Sequence, residues 1–204
     1  NWTWHDHHNE SQDPIIWLDG LDGPLIQSFN VLFFEDAEFP EQPITRQTGE
    51  TRSRMGFARP VKTEPGHSRG VPFRYAWKDT HAALRAMGDG DRDPYDGRLL
   101  RYINPVTGGY TYPTMSCEVQ LFKGKESTKT HRHTSTAIYH VVRGQGRTRV
   151  GEDYLAWQQG DTFVVPLWQW HAHENLSNDE AVLFSINDRP IMDSLQLHRE
   201  ESTN

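Results

Sequence analysis

Residues 160–175 read GDTFVVPLWQWHAHEN, and the last nine are nearly repeated at the start of the chain, where residues 1–10 read NWTWHDHHNE. A shift of 166 positions lays Trp2, Trp4, His5, His7 and Asn9 on Trp168, Trp170, His171, His173 and Asn175. The same register, without a gap, carries Ser11, Asp13, Asp22, Pro24 and Ser28 onto Ser177, Asp179, Asp188, Pro190 and Ser194. Ten of the 28 positions in 1–28 and 167–194 are therefore identical. Repetition at a fixed offset signals two copies of one structural unit. The expectation is a chain that ends on one whole unit and begins with the closing part of another.

The whole unit reads as β-structure. From Thr111 onward come SCEVQLF, TAIYHVVRG, GRTRVG, DTFVVP and AVLFSI, each bounded by Gly, Pro, Asp or Asn. Short strands at this spacing predict a sandwich or small barrel over 111–195. Residues 13–36 carry short apolar runs broken by Asp-Gly and Gly-Pro, so 1–36 is expected to hold the closing strands of the first copy. Residues 37–110 read as a connector, polar over 37–70, with one short helix near 79–88. Asp79 or Thr80 is its expected cap and Gly88 its stop. Residues 196–204 read as a tail, expected to be frayed over the final REESTN.

A net charge of −7 argues against a nucleic-acid or anionic-membrane partner, each of which needs a basic face. No apolar run approaches the length of a membrane span. Cys117, the single cysteine, excludes an internal disulfide and suits a reducing compartment, so a cytoplasmic location is expected. Its place within SCEVQLF predicts a small buried strand residue. Seven Trp, nine Phe and seven Tyr provide the bulk for a core.

His131 and His133 stand two apart, and on a strand such residues share a face. His171 follows His133 by 38 positions, on what would be another strand. Three neutral imidazoles on rigid strands suit Fe, Zn, Cu or Ni and leave coordination positions open, as a catalytic site requires. Among 11 histidines a lone His-x-His pair is cheap, so the context decides. Gly160, Pro166, His171 and Asn175 resemble the second cupin motif, Gly-x5-Pro-x-Gly-x2-His-x3-Asn, with Trp168 at the second glycine. His131, His133 and Gly144 resemble the first motif, with Ala137 where cupins customarily carry a glutamate ligand. The resemblance implies an all-β cupin double-stranded β-helix, a small barrel or jelly roll, with a short helix-containing connector.

The doubled phrase, PIIWLDGLD, NPVTGG and HRHTSTAIYHVVRGQG together resemble the gentisate 1,2-dioxygenase family, with its relatives salicylate and 1-hydroxy-2-naphthoate dioxygenase. The resemblance implies a bicupin enzyme, homo-oligomeric and tetrameric as in the family. It would use Fe(II) and O2 to open a small aromatic hydroxy-acid between its carboxyl- and hydroxyl-bearing carbons. His5 matches the third iron ligand of the first cupin. His7 matches the histidine beside the substrate, and Asp19 the acid that orients either the para hydroxyl or His7. The other two ligands, and the arginines holding the substrate carboxylate, would lie upstream of Asn1. If the chain is whole, that site cannot assemble.

In the second copy Ser185 replaces Asp19, and Tyr139, which reads as a strand aromatic, stands where the family's first cupin carries an arginine. The chain is therefore expected to bind a divalent metal at His131, His133 and His171 without cleaving gentisate at a useful rate. Salicylate or 1-hydroxy-2-naphthoate as substrate, or a non-catalytic metal-binding or oligomerising module, remain open.

Overall fold

Strand β2 (Ser116–Phe122) is covered on both faces, and its period of two sets the layers around it. Phe122 points inward to a core with Tyr139, Val141, Trp157, Val165 and Leu183. Val119 and Leu121 point the other way, joining Val182 beneath Leu84 of helix α2 (Trp77–Ala86). Glu118 and Gln120 share the inward side with Phe122 but line a cavity. One strand thus serves the core, the helix and the site.

The computed structural model describes residues 5–43 and 74–203. Trp2, Trp4 and the connector over 44–73 lie outside the described residues. The chain divides into two compact units, Asn1–Arg74 and Tyr75–Asn204. In the second, β1 (Arg98–Arg101), β2, β9 (Ala181–Asn187), β4 (Ala137–Arg143) and β7 (Thr162–Val165) form one sheet in that order. The other sheet runs β10 (Glu200–Ser202), β3 (His131–His133), β8 (His171–Asn175), β5 (Gln145–Val150), β6 (Asp153–Gln158). Every pairing is antiparallel. Two facing antiparallel sheets are the jelly-roll arrangement expected.

Backbone geometry explains two motif positions. Gly144 has φ +86, and a Cβ there would stand 2.9 Å from Ala181 Cα. Trp168, where the cupin motif carries glycine, holds the same left-handed region at φ 61. That conformation costs a side chain about 1–2 kcal/mol. The indole is in turn packed by Arg132 at 4.4 Å and Arg199 at 5.3 Å, cation–π contacts that offset the strain.

Several expected boundaries move. The helix begins at Trp77 after an extended Ala76, which places Asp79 in the first turn, where its carboxylate favours the helix N-terminus, rather than at the cap. The expected connector contributes β1, which pairs with β2. The expected tail is not frayed, because Glu200–Ser202 pairs with His131–His133.

The closing strands expected within 1–36 are not formed among the described residues. Residues 5–43 carry helix α1 (Gly23–Ser28) and no ladder. A strand exists through its hydrogen-bonded neighbour, and the described part of this unit supplies none. The duplication nevertheless survives in local geometry. Helix α3 (Arg189–Ser194) lies 166 residues after α1, with Asp22 and Asp188 as N-caps at φ −91 and −93. Ser28 Oγ donates to Leu25 O and Ser194 Oγ to Ile191 O, the same bond in each copy. Asn30 and Gln196 follow at φ 57 and 59.

Asn9 and Asn175 build the same turn. Asn9 Nδ2 donates to Asp13 O at 2.8 Å and its Oδ1 accepts from Ser11 N and Oγ. Asn175 Nδ2 donates to Asp179 O at 2.7 Å, and its Oδ1 accepts from Ser177 N and Oγ. In the second unit Asn175 Nδ2 also donates to Lys123 O at 2.9 Å, tying β8 to the end of β2. The motif asparagine is therefore a clamp and not a metal ligand. Asn175→Ala is expected to lower stability by about 2–3 kcal/mol, because it strands buried backbone groups. Urea denaturation reads this directly, and an unchanged midpoint contradicts it.

Candidate metal centre

Antiparallel register brings the centre together. His131 pairs directly with His171 across β3 and β8, and His133 reaches the same face two residues on. His131 Nε2 lies 2.7 Å from His171 Nε2. Ring centroids are 4.3 Å apart for His131 and His171, 5.0 Å for His133 and His171, and 5.4 Å for His131 and His133. One nitrogen of each ring falls within 4.8 Å of the others.

Outer hydrogen bonds fix which nitrogen is free. His133 Nδ1 donates to Ser135 O at 2.8 Å, and His171 Nδ1 donates to Gln169 O at 3.0 Å. Each Nε2 then carries a lone pair aimed inward, the arrangement that metal-ligating histidines adopt. Burial pushes His171 down to about 2, with His131 and His173 adding to the shift. His133 is also lowered, by burial and by His131. Both rings are therefore neutral at physiological pH and ready to ligate. Without an ion, the His131 Nε2–H donates to His171 Nε2. This donor set fits a divalent transition metal.

Two carboxylates flank His131. Glu200 Oε1 stands 3.4 Å from Nδ1, and Asp96 Oδ1 stands 3.9 Å from Nε2. Burial pulls the His131 ring downward, but Glu200 and Asp96 outweigh it and the net shift is upward. Its bond to His131 holds Glu200 down at about 2, while burial pushes Asp96 up to about 6. Tyr95 stacks on His131 with centroids 5.3 Å apart and planes within 7°.

A cavity of about 70 Å³ opens beside His131 and His133, bordered by Gln120, Tyr139, Arg101 and Arg189. Arg101 is paired with Glu118 at 2.7 Å and Arg189 with Asp193 at 3.2 Å. Tyr139 stacks on Phe163 and is pushed far above its usual value by burial, so it is a neutral core aromatic. Ligand pockets for drug-sized molecules run to about 300–1,000 Å³. This cavity suits water, dioxygen or a small anion.

His173, the counterpart of His7, is fully buried beside the triad. It shares a 2.8 Å hydrogen bond with Thr148 Oγ1 and is lowered to about 3 by burial. In the first unit His5, His7 and Asp19 are all exposed. The rings of His5 and His7 are 5.7 Å apart, and His7 packs on Trp17 at 4.4 Å. Among the described residues these three form no enclosed site. Sequence reading missed Asp96 and Glu200, which lie in the expected connector and tail, where no local pattern marks them. The signal was indirect: Ala137 left the centre short of a carboxylate.

Residues 118–187 match the cupin domain model. The chain is 40% identical over 202 residues to a 5-aminosalicylate 1,2-dioxygenase of Comamonas sp, covering 98% of this chain and 54% of that protein. It is 38% identical to a gentisate 1,2-dioxygenase of Haloferax sp, covering 98% and 58%. A crystallised salicylate 1,2-dioxygenase from Pseudaminobacter salicylatoxidans superposes with a TM-score of 0.69 at 25% identity, over 88% of this chain and 53% of that one. The chain spans about half the length of the curated relatives it matches. Nearly the whole chain is thus similar to the gentisate 1,2-dioxygenase group, the resemblance its motifs carried, and its second unit holds the cupin-matching segment.

Acid is expected to weaken the fold in the presence of a chelator. Between 6.5 and about 3 the unfolded chain binds protons on His171 and His173 that the folded chain excludes, so stability present above 6.5 falls with pH. Asp96 acts in the opposite sense between 3.8 and about 6, cancelling roughly one proton. The upward shift of His131 acts above 6.5. From pH 6.5 to 5 the loss should reach about 1–2 kcal/mol, read as a lower urea midpoint. A midpoint that rises with acid contradicts this sign.

Proposed function

We propose that this homologue of the gentisate 1,2-dioxygenase group serves in the ring cleavage of gentisate by O2, with Fe(II) as its metal. The observation that carries the metal reading is the convergence of one nitrogen from each of the three rings, with the Nδ1 protons of His133 and His171 committed outward. His131, His133 and His171 would hold the ion. Bound iron supplies a meeting point for dioxygen and an electron-rich ring.

The protein's own groups divide the remaining work between the two copies. In the second unit the cavity is only about 70 Å³, and Arg101 and Arg189 already spend their Nε on Glu118 and Asp193, which favours a small ligand over an aromatic carboxylate. Ring chemistry is therefore assigned to the first copy. There His5 would be a metal ligand, because it repeats His171 four residues ahead of a turn whose hydrogen bonds recur in both copies. His7 would hold or pass a proton beside the substrate, and Asp19 would orient His7 or the ring hydroxyl. Salicylate and 1-hydroxy-2-naphthoate are the neighbouring substrates, differing only in ring substituents.

A second reading, a metal-bearing module without catalysis, is favoured for the second unit by the same small cavity. The proposed homo-oligomer has a candidate surface in that unit. Val164 is the partner of Ile138, and Ile138 the partner of Ile186, a cross-strand apolar row with the first two 45% and 43% exposed. A cytoplasmic location remains part of this proposal. Among the described residues no helix is long and apolar enough to cross a membrane.

An oxygen electrode tests the division of labour, with protein loaded anaerobically with Fe(II) and compared with a homologous gentisate dioxygenase. The 204-residue chain should retain iron but turn over gentisate on the order of 100-fold or more slowly, for want of two charge-assisted contacts of about 1.5–3 kcal/mol each. Full activity that His131→Ala abolishes and His5→Ala leaves untouched would place the chemistry in the second unit instead.

A further inference from the structure

We propose that Asp96 supplies a carboxylate ligand to the three-histidine centre, completing a three-histidine, one-carboxylate set that Ala137 cannot provide. The inference rests on the metal reading of His131, His133 and His171 and deepens it. In the first cupin motif the carboxylate follows the paired histidines, a position that falls at the start of β4. Here Ala137 occupies that position and lines the cavity, leaving space where a longer side chain would reach. The structure fills the need from a different element. Asp96 borders the same cavity, and its Oδ1 stands 3.9 Å from His131 Nε2, the nitrogen that faces His171 Nε2.

The turn beneath Asp96 is built to hold it there. Asp93 and Gly97 exchange backbone hydrogen bonds at 2.8 and 3.0 Å, closing a tight loop around residues 94–96. Asp93 Oδ1 accepts from the backbone N–H of Tyr95 at 2.7 Å and of Asp96 at 3.0 Å. Gly97 has φ +72 and lies so close to Phe122 that a Cβ would come within 2.8 Å of the ring. No other residue lets the loop sit this low over the core. Lys129 N donates to Pro94 O at 2.8 Å, tying the loop to the segment leading into β3.

Side chains fix the carboxylate as well. Gln120, itself 1% exposed, donates from Nε2 to Asp96 Oδ1 at 2.8 Å, and Tyr95 lies flat on His131. The two acids around His131 thus have separate duties. Glu200, 3.4 Å from Nδ1, orients the ring from outside. Asp96 faces the ligating side. Three neutral imidazoles leave a divalent ion's charge uncompensated in a partly buried site, and one anionic oxygen offsets half of it.

Titration with Co(II) alone tests this on the chelator-stripped chain. One equivalent should bind, with a visible d–d spectrum. Asp96→Asn should keep that stoichiometry but weaken affinity by about 10–100-fold and change the spectrum. An Asp96→Asn protein with unchanged affinity and spectrum overturns the inference while the metal centre stands. Absence of Co(II) binding in the unsubstituted chain, or undiminished binding in His131→Ala, overturns the centre itself and the inference with it. Should Asp96→Asn fail to fold, infrared difference spectra of the unsubstituted chain labelled with carboxyl-13C aspartate decide. An aspartate carboxylate band must shift on Co(II) addition, and a spectrum without that shift rejects Asp96 as a ligand.

Discussion

The chemistry of the second unit depends on one cross-strand pair, His131 opposite His171. β3 is only three residues long, and a slip of one residue would turn both its histidines away from the cavity. The outer face prevents that slip. Arg132, between the two histidines, points the other way and is sandwiched by Trp168 and Trp170 at 4.4 Å each. Its guanidinium also donates to Glu201 at 2.6 and 3.0 Å, anchoring β10 along the free edge of β3. Trp168 and Trp170 therefore do not line the site. They hold the strand that does.

Legibility in the sequence followed the range of the interactions. His131, His133 and His171 were readable because period-two alternation and the Gly-Pro-His-Asn spacing are local patterns with one geometric meaning. The β-character of 111–195 was readable for the same reason. β1 was hidden because Arg98 and Arg101 make a poor apolar signal. Arg98 is nonetheless 2% exposed and ion-paired with Glu126 and Asp89. β10 was hidden because Glu200, Glu201 and Ser202 become a strand only by pairing with β3. The carboxylates near the centre arrive with those segments, Asp96 in the turn ahead of β1 and Glu200 on β10. The strand forecast over 13–36 failed from the opposite cause, since apolar runs there have no ladder partner among the described residues.

The duplicated phrase ties the two units to one design without giving them one task. The Asn9 and Asn175 turns, the α1 and α3 helices and the left-handed Asn30 and Gln196 agree position by position. What differs is chemistry. Asp19 in one copy is Ser185 in the other, and exposed His7 corresponds to His173, which is fully buried and bonded to Thr148. On the proposed division of labour, a copied scaffold with altered polar groups would carry a reacting centre in one copy and a supporting metal in the other.

Crystals of the chain grown with one equivalent of Fe(II), measured on both sides of the iron absorption edge, test the central claim most directly. The account predicts an anomalous peak enclosed by His131, His133 and His171, in the space now spanned by the 2.7 Å contact between His131 Nε2 and His171 Nε2. Iron found away from that triad, or a triad that stays closed and metal-free in iron-soaked crystals, would contradict it.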